Sequence, residues 1–279
     1  MEKLSNGLIK KRPRIQGAAW RRLDNTAKLF AAVSGEDLSS VFRIAAVLKE
    51  PVEPELLHKE IKAAKEIMVG KDRQMRTVIT EEHPIENLYA KSLKRDDTVF
   101  VDFGDHAVGY VTLELSKTGS HQDAPVYFYL KFGERLEEMT DKTADYDGWL
   151  SRGWIQEEYI HVDVLPAKVK LPRRYSFRYM ELRVIDTSAK FQLKIDGISC
   201  DTVSAVDMES VKPVDFGDPL LNQIDLVNAE KTLKECMQTV YEDGPKRDRR
   251  LWIGDLYLEA LANAHTFKTG DGRQTVSSL

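Results

Sequence analysis

Apolar positions along the chain change their period twice, and those changes divide it. In Tyr127-Phe128-Tyr129-Leu130-Lys131-Phe132 and in Phe191-Gln192-Leu193-Lys194-Ile195, apolar residues return at every second place, as in a strand with one buried face. Thr98–Phe103, His106–Leu115, Glu158–Val164 and Phe177–Ile185 are similarly rich in β-branched and aromatic residues, and several of these runs are separated by turns containing Gly, Asp or Pro. Together they predict an antiparallel, jelly-roll-like β-sandwich over residues 97–210.

Helical spacing is expected on either side of it. From Lys59 to Arg76, Ile61, Ala64, Ile67 and Met68 fall at offsets suited to one helix face, so residues 61–96 are expected to form a helical linker. Upstream, Val41–Leu48 predicts a strand and Pro51–Leu57 a helix start, giving a short α/β segment over residues 1–60. After Val211, Asp218-Pro219 pairs an N-cap with a proline at the first helical position, and Leu226, Leu233, Met237 and Val240 follow at near-helical offsets. Leu256–Phe267 predicts a further helix, with Leu258, Leu261, Ala262 and His265 along one face. Residues 268–279 are rich in Gly, Thr and Ser and are expected to fray.

Composition narrows the function classes. The 279 residues suffice for two domains, and 31% charged residues with a net charge of −4 fit a soluble protein. No basic block points to nucleic acid, and no apolar run approaches the roughly 20 residues that span a membrane. Oligomeric state has no signature in the sequence. Met1–Arg14 is basic but leads into no apolar segment, so a cytoplasmic location is expected. Cys200 and Cys236 have neither metal-ligand spacing nor a disulfide framework, and are expected as buried thiols. His58, His83, His106, His121, His161 and His265 include no pair at ligand spacing, so neither a metal nor another cofactor is expected.

Chemistry concentrates in Glu242-Asp243-Gly244-Pro245-Lys246-Arg247-Asp248-Arg249-Arg250-Leu251-Trp252-Ile253-Gly254-Asp255. Asp243, Asp248 and Asp255 cannot share one helical face at offsets of five and twelve, and Gly244-Pro245 makes the first part a loop that leads into a helix. Carboxylates that bind hydroxyls and move a proton, arginines that orient them and an indole face such as Trp252 form a set suited to a pyranose. Composition alone reads the same run as a solvated, salt-bridged helix start with Trp252 in the core.

The string from Asp243 to Asp255 resembles the Asp-x-Pro-x-Arg-(Glu/Asp)-Arg-x-x-Trp-x-Gly-Asp signature of glycoside hydrolase family 78, the α-L-rhamnosidase family. The resemblance implies a sandwich followed by the first helices of an (α/α)6 six-hairpin barrel over residues 211–279. It implies an inverting hydrolase for terminal rhamnosides or related deoxy-sugars, with Asp248 as the general acid. Asp243 and Asp255 would bind sugar, with Arg247 and Trp252 beside them. Family members commonly carry Glu where this chain has Asp248. Phe132-Gly133-Glu134 and Tyr175–Tyr179 also look like parts of the family's sandwich.

A complete barrel needs far more chain than follows Asp215, and the resemblance puts the catalytic glutamate base beyond Leu279, so a truncated member that is inactive alone is expected. A non-catalytic carbohydrate-binding module is the alternative. The loop Asp141–Trp154 offers Tyr146, Trp149 and Trp154 as a sugar-contacting edge, although large aromatics more often cap a core. Arg173, Arg174, Arg178 and Arg183 read as structural ion-pair partners. Residues 18–60 resemble the opening of condensation-like, CoA-dependent acyltransferases, but the His-His-x-x-x-Asp motif of that superfamily is absent.

Overall fold

The computed structural model describes residues 54–206, 211 and 214–267. The predicted Val41–Leu48 strand, the acyltransferase-like segment up to Glu53 and the tail from Lys268 lie outside these residues, as does the side chain of His265. The described part is mainly antiparallel β-sheet with a few helices.

Among the described residues, nine strands make up the sheet structure: β1 (Leu57–Lys62), β2 (Lys65–Lys71), β3 (Thr77–Pro84), β4 (Thr98–Gly119), β5 (Val126–Gly133), β6 (Gln156–Val162), β7 (Ala167–Lys170), β8 (Tyr175–Asp186) and β9 (Phe191–Ser204). The long strand β4 joins two layers. Its first part lies between β2 and β8, with Lys65 opposite Asp102 and Tyr179 opposite Asp102 on the other side. Its second part lies between β9 and β7, with Leu113 opposite both Ile198 and Val169. The first layer continues through β8 to β5 and β6 and through β2 to β3, while the second adds β1 to the far side of β9.

Gly109 stands at the crossing, paired with Tyr175 of β8 and Thr202 of β9. A side chain cannot fit there, because a Cβ on Gly109 would lie 2.2 Å from the Asp201 carbonyl oxygen. Just before the crossing, β4 bulges between Asp102 and Ala107. The buried Asp102 carboxylate closes this bulge by accepting from the Gly104 N–H at 2.7 Å and from Arg178 Nε and Nη2, each at 2.9 Å.

Alternation fills the space between the layers. Val101, Phe103, Leu113 and Leu115 of β4 meet Phe128, Leu130 and Phe132 of β5, Phe177 and Leu182 of β8, and Leu193 and Ile195 of β9. Phe132 stacks on Tyr175 at 4.3 Å and meets Phe177 edge-on at 5.0 Å. Each such side chain contributes about 1.5–3 kcal/mol by leaving water. Cys200 belongs to this core, and burial pushes its thiol up to about 12.

The helical linker is corrected. Residues 57–84 form β1, β2 and β3, and a short helix α1 (Ile85–Tyr89) follows. Ile61 and Ile67 belong to different strands, separated by a corner at Ala63 and Ala64 whose N–H groups donate to Ile198 and Asp102 carbonyls at 3.1 and 3.0 Å. Pairing with β9 and β4 decides this stretch, overriding a Lys-, Glu- and Ala-rich composition that favours helix locally.

Beyond β9, helix α2 (Pro219–Val227) starts as its sequence predicts: Asp218 accepts from the Leu220 N–H at 2.7 Å, and Pro219 occupies the first turn. Wider turns over Asn228–Leu233 carry it on to Lys234–Cys236. Helix α3 spans Ile253–Thr266. Leu233, Met237, Tyr241, Leu256 and Phe267 pack with Ala205 and Val206 into a second, smaller core. The other faces of these helices are open: Leu220, Leu221 and Ile224 of α2 and Ile253, Tyr257, Leu258 and Leu261 of α3 are exposed. Among the described residues, no helix is long and apolar enough to cross a membrane.

Candidate active site

The acidic loop is a closed structure organised by Asp243. One carboxylate oxygen of Asp243 accepts from the Arg250 N–H at 3.1 Å and the other from the Asp248 N–H at 3.3 Å, while the Asp243 N–H donates to the Arg250 carbonyl at 3.0 Å. The Arg249 N–H donates to the Gly244 carbonyl at 3.2 Å. The turn is so tight that a Cβ on Gly244 would lie 2.3 Å from the Arg247 carbonyl oxygen. Asp243 and Asp248 are thereby held on one loop, and Arg247 Nε stands 3.6 Å from the Asp248 carboxylate.

Three contacts fasten this loop to the sandwich. Arg174, entering β8, donates to both oxygens of Glu242 at 2.7 and 2.5 Å, and both side chains are largely buried. Lys246 pairs with Glu138 and lies 3.9 Å from Glu134. Arg249, with a positive φ of 59°, donates to Gln156 of β6 at 3.4 Å. Burial and the neighbouring Arg174 charge lower the Arg249 pKa, against the opposing pull of Glu242.

Glu134 joins a part-buried polar cluster behind Lys246. Ser176 donates to Glu134 at 2.6 Å, and His106 Nε2 lies 2.9 Å from the Ser176 hydroxyl oxygen. Burial opposes ionisation of Glu134, but hydrogen bonds from His106 and Ser176 and the Lys246 charge outweigh it and hold the pKa below the usual range. Ser176 is completely buried, so this Ser-His-Glu grouping steadies the sandwich wall and offers no accessible nucleophile.

Asp255, in the first turn of α3, is exposed, and Trp252 precedes the helix with half its surface open. Trp252 is therefore a surface indole rather than a core one. One helical turn beyond Asp255 lies Glu259, which the sequence did not single out. Burial, then the charges of Asp255, Asp243 and Glu242, raise its pKa to about 7, while a hydrogen bond with Cys236 works the other way. The only advance signal was its position four residues after Asp255 on a helix face.

Of the remaining arginines, Arg173 pairs with Glu158 at 2.7 Å and Arg178 with Asp102, as expected from the sequence, whereas Arg183 lies over the Tyr129 ring and makes no ion pair among the described residues. The aromatic loop differs. Trp149 is 92% exposed and Trp154 is half-buried, so they do not cap the core together. Cys236 is buried as expected, its thiol pushed up to about 12 by burial and nearby acids.

Residues 65–202 match the glycosyl hydrolase family 78 α-rhamnosidase N-terminal domain. The chain resembles the family 78 rhamnosidases. A rhamnosidase from Klebsiella oxytoca, solved with rhamnose bound, is 39% identical over 81% of this chain and 43% of its own, with a TM-score of 0.74. A family 78 rhamnosidase from Bacillus sp. GL1 is 21% identical over 62% of this chain and 16% of its own, with a TM-score of 0.49. The chain thus spans less than half the length of either rhamnosidase. No curated protein matches the sequence. The sandwich matched by the family domain includes β2 and β3, two strands that lie within the expected linker.

Proposed function

We infer that this chain contributes the sandwich and the first barrel helices, α2 and α3, to an inverting α-L-rhamnosidase-type glycosidase acting on terminal deoxy-sugar linkages. The observation that carries the reading is the Asp243-centred loop, which holds Asp248 beside Arg247 and is itself fastened to the sandwich through Glu242, Lys246 and Arg249. Similarity to a rhamnose-bound rhamnosidase supports the sugar class.

In this reading Asp248 protonates the leaving oxygen, and Arg247 orients its carboxylate. Asp243, Asp255 and the open face of Trp252 bind the sugar, although two backbone N–H groups already draw on the Asp243 carboxylate. Inversion also needs a base about 6.5–9.5 Å from the acid to activate water on the opposite sugar face. We assign that role to no residue of this chain.

Release of the aryl group from an aryl α-L-rhamnoside tests the hydrolase. Asp248→Asn is expected to lower kcat by at least about 100-fold, because general acid catalysis contributes on that scale. Unchanged turnover in Asp248→Asn would remove Asp248 from the acid role. The 92% exposed Trp149 favours a second reading, a carbohydrate-binding module without hydrolysis. That reading predicts sugar binding that survives Asp248→Asn and is lost in Trp149→Ala.

A further inference from the structure

We propose that Lys246 is a positioning residue for the acid: its ammonium, seated between Glu134 and Glu138 of the sandwich, fixes the turn that presents Asp248. The proposal rests on the reading of Asp248 as the general acid. The turn is closed by the Arg249 N–H donating to the Gly244 carbonyl, and Lys246 sits inside that closure, two residues before Asp248. The other two fastenings act outside it or at its end, since Glu242 precedes the turn and Arg249 follows Asp248. Lys246 is the fastening that holds the turn itself.

Both acids are anchored by the sandwich itself. Each commits one carboxylate oxygen to the sandwich and turns the other toward the ammonium. Glu138 Oε1 accepts from the Glu134 and Arg135 N–H groups at 3.0 and 3.1 Å, at the start of the short helical turn Leu136–Met139, while its Oε2 accepts from Lys246 Nζ. Glu134 Oε1 accepts from the Ser176 hydroxyl at 2.6 Å and lies 3.4 Å from His106 Nε2, which leaves Oε2 3.9 Å from Lys246 Nζ. Carboxylates anchored in this way cannot follow a displaced ammonium, so they define where the turn must sit. The Lys246, Glu134 and Glu138 side chains are 21%, 33% and 30% exposed, and ion pairs this open to water add little to stability. Position counts for more, because a misplacement of about 1 Å in a reacting group can lower turnover about 100-fold.

Turnover of an aryl α-L-rhamnoside by the full chain, measured beside hydrogen exchange at the Asp248 and Arg249 amides, tests the assignment. Lys246→Met keeps the apolar stem and loses the charge; it should lower kcat at least about tenfold and leave KM within about twofold, because Asp243 and Trp252 lie outside the closure. Lys246→Arg should restore most of the loss, which a role in packing alone would not require. In the Asp248→Asn background, Lys246→Met should cost no further turnover, since no acid is left to aim. Both amides should exchange about tenfold faster in Lys246→Met. Glu138→Gln, which keeps an oxygen for the two N–H groups, is the second variant if circular dichroism shows that Lys246→Met does not fold. Unchanged kcat, a raised KM at constant kcat, or an equal loss in the Asp248→Asn background overturns the proposal. If the parent chain shows no turnover, faster exchange upholds Lys246 as the residue that fixes Asp248 and counts against the hydrolase reading alone, whereas unchanged exchange overturns the proposal.

Discussion

Glu259 holds a proton that its neighbours make hard to release. Its carboxyl is pushed from an ordinary 4.5 to about 7, so the unfolded chain ionises it over a range where the folded chain does not. The associated stability is complete below pH 4.5 and is lost as pH rises through 7. Because the side chain is only partly buried, solvent screening reduces the cost to about 1 kcal/mol. Glu259→Gln should therefore melt at the same temperature as the parent at pH 4.5 and about 2–4 °C higher at pH 8. An equal offset at both pH values in a thermal melt would separate Glu259 from that titration.

Among the elements, β4 carries the architecture, because one strand serves both layers and Gly109 is where it changes layer. Gly109→Ala would drive a methyl group to within 2.2 Å of the Asp201 carbonyl oxygen and 2.7 Å of the Thr202 Cα. Backbone at a strand pairing cannot turn aside as a flexible side chain can. The expected loss is about 3 kcal/mol, read from the urea midpoint, and an unchanged midpoint would show that β4 and β9 can part at this place.

How far each element could be read from sequence follows from the range of the forces that fix it. Strands β5 and β9 were legible because Phe128, Leu130 and Phe132, and Phe191, Leu193 and Ile195, alternate within their own segments. Helix α2 was legible through the local signal of Asp218 and Pro219. Strands β1 and β2 were not: the partner of β1, β9, lies far along the chain, and although β2 pairs with its neighbour β3, Ile61, Ala64 and Ile67 imitate a helical stripe across a corner. In the site, a contiguous motif singled out Asp243 and Asp248. Glu134 and Glu138 meet Lys246 only after more than a hundred residues have folded back, and no local pattern announces such a meeting.

At the scale of the whole molecule, Arg174 and Glu242 couple the sandwich to the acidic loop and the second core. Their side chains are only 14% and 7% exposed, and Arg249 lies close enough for its charge to act on both. Removing one partner leaves a buried charge without its counterpart. Glu242→Ala should therefore cost about 3 kcal/mol, with an earlier urea transition, whereas the double replacement Arg174→Leu with Glu242→Leu should cost much less. Equal losses from the single and double variants would mean that the pair acts through packing rather than charge.

The open faces of α2 and α3 give the molecule two opposing responses to its solvent. Sulfate and phosphate ions are excluded from protein surfaces and strengthen the burial of apolar groups, so they tighten the core between the layers of the sandwich. The same exclusion raises the free energy of Leu221, Ile224, Tyr257 and Leu258 in water, where they are exposed. One additive thus steadies the fold and salts out the molecule that carries it.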